Sequence, residues 1–282
     1  MTNSPKRPDA ITPLRAERSA LLELLSGLSP EQWALPTECP RWTVHGVALH
    51  LLGDDISLLS RQRDSEPIGL IEVAKSNTGL NFLELLHRFN ERWVDAGPFI
   101  SPRVLVELLR VTGELTADFY DAIDPEALGE PVFWLSPQPA PYWQIAAREY
   151  GERWVHHHQI SRAVGVAGPF DNTLRHAALD SVMPVFAIRF AGVEAPDDSP
   201  IVIDAGDVGR WSFIRVDGAW VQCGNAIGAP FAELVIPRAS IGPVFSKGLT
   251  ADEIVAAIDV RANTIAGGVA ARAIADFLGR TS

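Results

Sequence analysis

Between Glu149 and Ile160 the chain sets two glutamates, an arginine, three consecutive histidines and a glutamine within about three helical turns. That density limits what the segment can become. As a helix, it either presents a solvated polar face or turns some of these groups inward, toward one another or toward an ion. Glu152 and His156 are four residues apart and stand one above the other on a single helical face, with Glu149 a further turn back. Two side chains so placed can share one metal ion. His157 and His158 are rotated from His156 by roughly 100° and 200°. The triplet therefore implies one ion at most, and Glu149, His157 and His158 are expected in supporting or solvated positions.

The rest of the composition narrows the field. A net charge of −11 and a pI near 5.1 leave no global basic field for phosphate backbones or anionic lipid. Neither nucleic acid nor a membrane surface is expected as a partner. No charged-then-apolar leader and no apolar run of about eighteen residues is present, so a soluble, cytoplasmic protein is expected, as a monomer or small homo-oligomer. Cys39 and Cys223 are the two cysteines and lie far apart. That excludes a disulfide framework and a thiolate zinc cluster, so a metal would be held by nitrogen and oxygen.

Along the chain, residues 1 to 10 read as a loose arm. Apolar residues at Leu21, Leu22, Leu24, Leu25 and Leu28 predict an amphipathic helix over 14–28. Ser29 is a candidate N-cap before Pro30, and Thr43 another before a helix running from Val44 into the sixties. A break is expected over 67–78, then helices over 80–95 and 102–123, a proline-rich connection over 131–141, the Glu149 helix ending near Gly165, and a helix over 171–192. After Ala195-Pro196-Asp197-Asp198-Ser199-Pro200, strands are predicted at 201–204, 210–216, 219–223 and 233–236. Asp217-Gly218 forms a hairpin signal. Helices over 250–258 and 262–278 close the chain. The expected class is α+β, with a helical bundle over 11–193 and a small α+β domain over 200–282.

His50, on the Val44 helix, joins Glu152 and His156 as a third candidate ligand, because facing helices of a bundle commonly supply metal ligands from inward positions. Two imidazoles and one carboxylate form a set that suits catalytic zinc or another divalent ion and leaves a position open. A solvated polar face with one capping imidazole is the competing reading. Asp54 is either a partner orienting His50 or a solvated carboxylate. Cys39 reads as a half-buried loop thiol with no neighbouring base, and His45 as an exposed or capping residue. Trp33, Trp42, Trp143 and Trp154 read as core or groove walls. No G-x-S-x-G, G-x-x-x-x-G-K-[ST] or H-E-x-x-H motif is present.

The segment Cys39-Pro40-Arg41-Trp42-Thr43-Val44 with Ala48-Leu49-His50-Leu51, and Glu152 through Ile160 into Arg162-Ala163 and Gly165, resembles the mycothiol-dependent maleylpyruvate isomerase family of DinB-like metal-binding helical bundles. The C-terminal part, most of all Phe245-Ser246-Lys247-Gly248-Leu249 before Glu253, is similar to that family's small sterol-carrier-like domain. The resemblance implies a four-helix bundle and metal ligands at His50, Glu152 and His156. It implies a low-molecular-weight thiol such as mycothiol as cosubstrate, with Trp42 and Gln159 as candidates for its site. It further implies an arginine of the C-terminal domain at the active site, for which Arg210, Arg215 and Arg238 are candidates and Arg210 and Arg238 the chosen pair. Many members carry an aspartate where this chain has Gln159. The implied function is a thiol-dependent isomerase or S-transferase that uses a zinc-bound thiolate on a small electrophile such as maleylpyruvate. A zinc-hydroxide hydrolase and a non-catalytic small-molecule-binding protein are the alternatives.

Overall fold

A computed structural model describes residues 9–66, 68–133, 135–166, 172–224 and 228–279. Residues 1–8 of the arm expected over 1–10 and the start of the predicted helix at Asp171 lie outside them. Helix α1 (Thr12–Ser26) buries Leu14, Leu21, Leu22 and Leu25 on its predicted apolar face. Ser29 caps the single-turn α2 (Pro30–Trp33) in a reciprocal capping box with Gln32. The Thr43 hydroxyl accepts from the Gly46 N–H to start α3 (Val44–Leu58), which passes into a π-helical turn at Leu59–Arg63. The expected break contains a short helix, α4 (Leu70–Ser76), lodged against α5 (Phe82–Asp95). It is too short to show helical periodicity and its stability comes from that packing. Ser101 caps α6 (Pro102–Ala122), with Pro102 in the first turn. The proline-rich connection forms a two-stranded ribbon, β1 (Leu128–Pro131) and β2 (Pro139–Pro141). Proline is tolerated there because a ribbon has free edges. Helix α7 (Tyr142–Ala163) starts directly after Pro141, a full two turns before Glu149.

Helices α1, α3, α6 and α7 pack on one another as a four-helix bundle. Leu21, Leu25, Val44, Val47, Leu51, Leu52, Leu105, Leu109 and Ile160 fill its interior, each large side chain contributing about 1.5–3 kcal/mol on burial. Helix α8 (Asn172–Arg189) packs along α7.

The C-terminal part is a five-stranded sheet of β3 (Ile201–Asp204), β4 (Arg210–Val216), β5 (Ala219–Cys223), β6 (Ala232–Val235) and β7 (Asp259–Ala262), in the order β5-β4-β3-β6-β7. Only β3 and β6 run parallel. Asp217 and Gly218, with φ of 50° and 80°, form the two-residue turn that pairs Val216 with Ala219, as the hairpin signal predicts. Helices α9 (Arg238–Phe245), α10 (Ala251–Ala257) and α11 (Thr264–Leu278) complete it. Neither α9 nor β7 stands among the predicted elements. Gly242 and Pro243 disguise the first, and the second is a short charged edge strand defined by its register with β6. The molecule is α+β, a helical bundle followed by a small sheet-bearing part. One apolar core nevertheless runs from Tyr150 and Trp154 through Leu179 and Phe186 of α8 and Phe190 just after it into Ile203, Phe213 and Leu234 of the sheet. Among the described residues no helix is long and apolar enough to cross a membrane.

Candidate metal centre

Helices α3 and α7 meet inside the bundle, and each brings one imidazole to the contact. The Nε2 atoms of His50 and His156 lie 3.1 Å apart, with ring centroids at 4.6 Å and ring planes at 81°. Each imidazole has a carboxylate one turn away on its own helix. Asp54 Oδ2 is 3.3 Å from His50 Nε2, and Glu152 Oε2 is 3.8 Å from His156 Nε2. An H-x-x-x-D pair on α3 thus faces an E-x-x-x-H pair on α7. Of the expected ligands, the fold brings His50, Glu152 and His156 together and adds Asp54. That carboxylate turns toward the same nitrogen that faces His156, not toward the far side of the ring as an orienting partner would.

The imidazoles are almost wholly enclosed, while the side chains of Asp54 and Glu152 keep 27% and 34% of their exposure. The open side of the site is therefore its acidic side. Burial pushes His50 and His156 down to about 4, the two rings also disfavouring charge on each other at His156. Both are neutral near pH 7, as metal-binding imidazoles must be. Burial raises Asp54 to about 6. Burial also raises Glu152, but Lys247, His156 and Arg148 outweigh it and hold that carboxyl below its usual range.

Behind the imidazoles lies a buried ionic network that ties the bundle together. Asp55 is fully buried and accepts from Arg18 at 2.7 and 3.0 Å, from Arg153 at 2.7 Å and from Thr112 at 2.7 Å. Arg153 also reaches Glu149 Oε2 at 2.7 Å, and His157 Nδ1 lies 3.0 Å from Glu17. Glu149 belongs to this network and His157 to a buried pair with Glu17, so neither is a solvated group, and His158 packs against Trp154. Their helix is enclosed on nearly every side, a tertiary fact that periodicity does not show. His45 is likewise half-buried, edge-on to Trp33.

Two further segments close over the centre. The loop before α3 carries Trp42, whose ring centroid is 5.0 Å from that of His50. The same loop carries Cys39, whose Sγ is 3.0 Å from Gln159 Oε1 and 3.9 Å from His156 Nδ1. Burial pushes this thiol up to about 11, so it stays protonated at neutral pH. Arg41, in the turn between them, takes a φ of 70°, a left-handed conformation that costs a non-glycine residue roughly 1–2 kcal/mol. From the C-terminal part, the stretch after α9 brings Ser246 and Lys247. Gln159, chosen as a thiol contact, is buried behind the imidazole and not on the open side. Arg210 is engaged by Asp204 and Glu233, Arg238 by Asp207, and Arg215 by the Ala195 carbonyl. The positive charges acting on the ligand candidates are those of Lys247, Arg148 and Arg153. Asp54 was legible as the fourth-residue partner of His50; Lys247 carried no local signal beyond its place in the Phe245–Leu249 motif.

Among the described residues no set of three or more His, Cys, Asp or Glu side chains stands closed around one point as metal ligands do. The imidazoles instead meet each other directly, and the carboxylates stand off. The donor types still suit a divalent ion. Two neutral imidazoles converge through the same ring atom, two part-exposed carboxylates flank them, and His50 Nδ1 is buried without a hydrogen-bond partner.

Residues 14–161 match the Mycothiol maleylpyruvate isomerase N-terminal domain. An uncharacterized protein of Mycobacterium tuberculosis, matched in strains CDC 1551 / Oshkosh and H37Rv, is 26% identical over 239 residues, covering 82% of this chain and 86% of that protein. The crystal structure of the mycothiol-dependent maleylpyruvate isomerase superposes with a TM-score of 0.51 at 11% identity, over 88% of this chain and 92% of the other. A histidine-to-alanine mutant of that isomerase superposes equally well, at 13% identity. At such identity the superpositions speak to the fold, and the domain match decides the lineage: the chain belongs to the mycothiol maleylpyruvate isomerase family.

Proposed function

We propose that this protein is a thiol-dependent isomerase or S-transferase whose reaction takes place at the His50–His156 pair. Its enzymatic character is supported by family membership. The observation that carries the site assignment is the approach of His50 Nε2 and His156 Nε2 to 3.1 Å, with a carboxylate one turn from each. His50, His156 and Glu152 would hold a divalent ion such as zinc, with Asp54 as an additional oxygen donor. The carboxylates, being the part-exposed members, are the side chains free to close the set. When bound, the ion would supply an electron-pair acceptor that keeps a low-molecular-weight thiol, mycothiol or a relative, in its thiolate form at neutral pH.

The chain's own residues account for the rest. Trp42 and the bundle wall exclude water from one side of the imidazoles. The exposed ammonium of Lys247 offers positive charge to an anionic substrate, the task assigned from sequence to Arg210 or Arg238. For a cis-configured conjugated dicarboxylate, the thiolate adds to one alkene carbon and the electron pair moves onto the conjugated carbonyl. Rotation about the resulting single bond follows, and the returning pair expels the thiolate to leave the trans isomer. An S-transferase reaction would stop at the adduct after protonation.

The test is turnover of a maleyl-type dicarboxylate by purified protein with zinc, with and without added thiol. Turnover strictly dependent on the thiol and lost in His156→Ala is expected. Turnover of an ester or amide without thiol would instead favour a hydrolase.

A further inference from the structure

Gln159 is 2% exposed, and both ends of its amide are engaged. Nε2 donates to the Ser246 carbonyl at 2.8 Å. Oε1 lies 2.9 Å from His156 Nδ1 and 3.0 Å from Cys39 Sγ. The Ser246 carbonyl can only accept, so it decides which way the amide points. The reverse orientation would face two oxygens across 2.8 Å. Oε1 is thereby aimed at the imidazole, and it too can only accept. His156 must carry its proton on Nδ1, which leaves the Nε2 lone pair directed at His50. In the metal-free chain His50 must then offer its Nε2–H to that lone pair across 3.1 Å, while its Nδ1 has no hydrogen-bond partner.

The other end of the amide acts on the chain that follows Ser246. Lys247 is in the left-handed region at a φ of 59°. Gly248 is packed so closely that a Cβ there would meet Arg162 Nη1 and Glu38 Oε1 at 3.0 Å. The Arg162–Glu38 pair, 2.9 Å apart, itself joins α7 to the loop before α3. The Ser246–Gly248 turn is thus fastened at both ends to elements of the metal centre, with the Lys247 side chain exposed between the two fastenings.

We propose that Gln159 is a positioning residue with two coupled tasks: it holds His156 in the Nδ1–H tautomer and latches the Ser246–Gly248 turn, with Lys247, onto the imidazole pair. Only an amide does both. A carboxylate at this position accepts from Nδ1–H but has no proton to offer the Ser246 carbonyl. A residue that orients a ligand imidazole through its second nitrogen commonly changes metal affinity ~10–100-fold when lost. That last consequence rests on the metal reading proposed above, whereas the tautomer and the latch are properties of the metal-free chain.

The experiment uses the full-length protein, wild type and the variants Gln159→Glu and Gln159→Met. Proton–nitrogen correlation spectra of the His156 ring are recorded without metal, hydrogen exchange is followed at residues 246–248, and zinc affinity is measured by chelator competition. Expected are an Nδ1–H tautomer in wild type, retained in Gln159→Glu and lost in Gln159→Met, and faster exchange at 246–248 in both variants. Zinc binding should weaken ~10–100-fold in Gln159→Met. An Nε2–H tautomer in wild type overturns the proposal without recourse to any variant, and so does unchanged exchange at 246–248 in Gln159→Glu. Wild type that shows the tautomer and the latch but takes up no zinc supports the role of Gln159 and overturns the metal reading alone.

Discussion

His50 and His156 stand 106 residues apart in sequence, yet their Nε2 atoms face each other across 3.1 Å with no other side chain between them. Two neutral rings in that arrangement share one proton between their Nε2 atoms, and Asp54 and Glu152 stand 3.3 and 3.8 Å from those same atoms. Loss of either ring should abolish stoichiometric zinc retention. Elemental analysis of His50→Ala and His156→Ala after dialysis checks this, and full occupancy in either variant would remove the site.

Lys247 differs from Arg210 and Arg238 in what already occupies it. The two arginines are neutralised by carboxylates of their own neighbourhood, whereas Lys247 acts on Glu152, Cys39 and His50. Replacement by alanine should remove a charge-assisted contact of about 1.5–3 kcal/mol, a fall of roughly 10–100-fold in kcat/KM for an anionic substrate. Arg238→Ala should change it less than twofold. The reverse ranking in steady-state kinetics would return the role to an arginine.

Asp55 is the hub of the buried network, and Arg18 and Arg153 hold it below the usual carboxylate range against the upward push of burial. Asp55→Asn leaves the Arg18 guanidinium without its counter-charge and Arg153 with Glu149 alone, and should cost about 3–5 kcal/mol, read by denaturant unfolding near pH 7. The sign follows from the depressed folded value. The contribution is present in full above the unfolded pKa, near 3.9, and is lost as pH falls through the lower folded one. The gap in stability between wild type and variant should therefore narrow below about pH 4. A gap that persists there would show that charge is not its source.

Gly53, between the site residues of α3 and the α5 face, has the Trp93 ring where a side chain would stand: a Cβ would lie 2.4 Å from its Cγ. Helix propensity alone favours alanine over glycine by about 1 kcal/mol. Overpacking reverses the sign, and Gly53→Ala should be destabilised by about 1–3 kcal/mol. Thermal unfolding decides between the two, since a raised Tm would mean that Trp93 yields freely.

Local chemistry made much of this molecule legible in the sequence. Caps at Ser29 and Thr43, the leucine spacing of α1 and the Asp217-Gly218 turn each act within a few residues, and they appear in the structure where local rules put them. His50, Glu152 and His156 could be singled out because ligand chemistry restricts residue type and helical spacing restricts placement. What lay beyond reach depends on contacts between distant segments. The α4 and α9 helices are too short to declare themselves and are held by their neighbours, while β7 is a strand through its register with β6. Only the tertiary structure turned the polar crowd from Glu149 to Gln159 inward on several sides at once. It gave Asp55 its two arginines, brought the charge of Lys247 to bear on Glu152, and placed Gln159 between His156 and Ser246. The physical reason is the same in each case: a buried polar group is stable only with a partner, and for these groups the partner comes from another helix or from the other half of the chain.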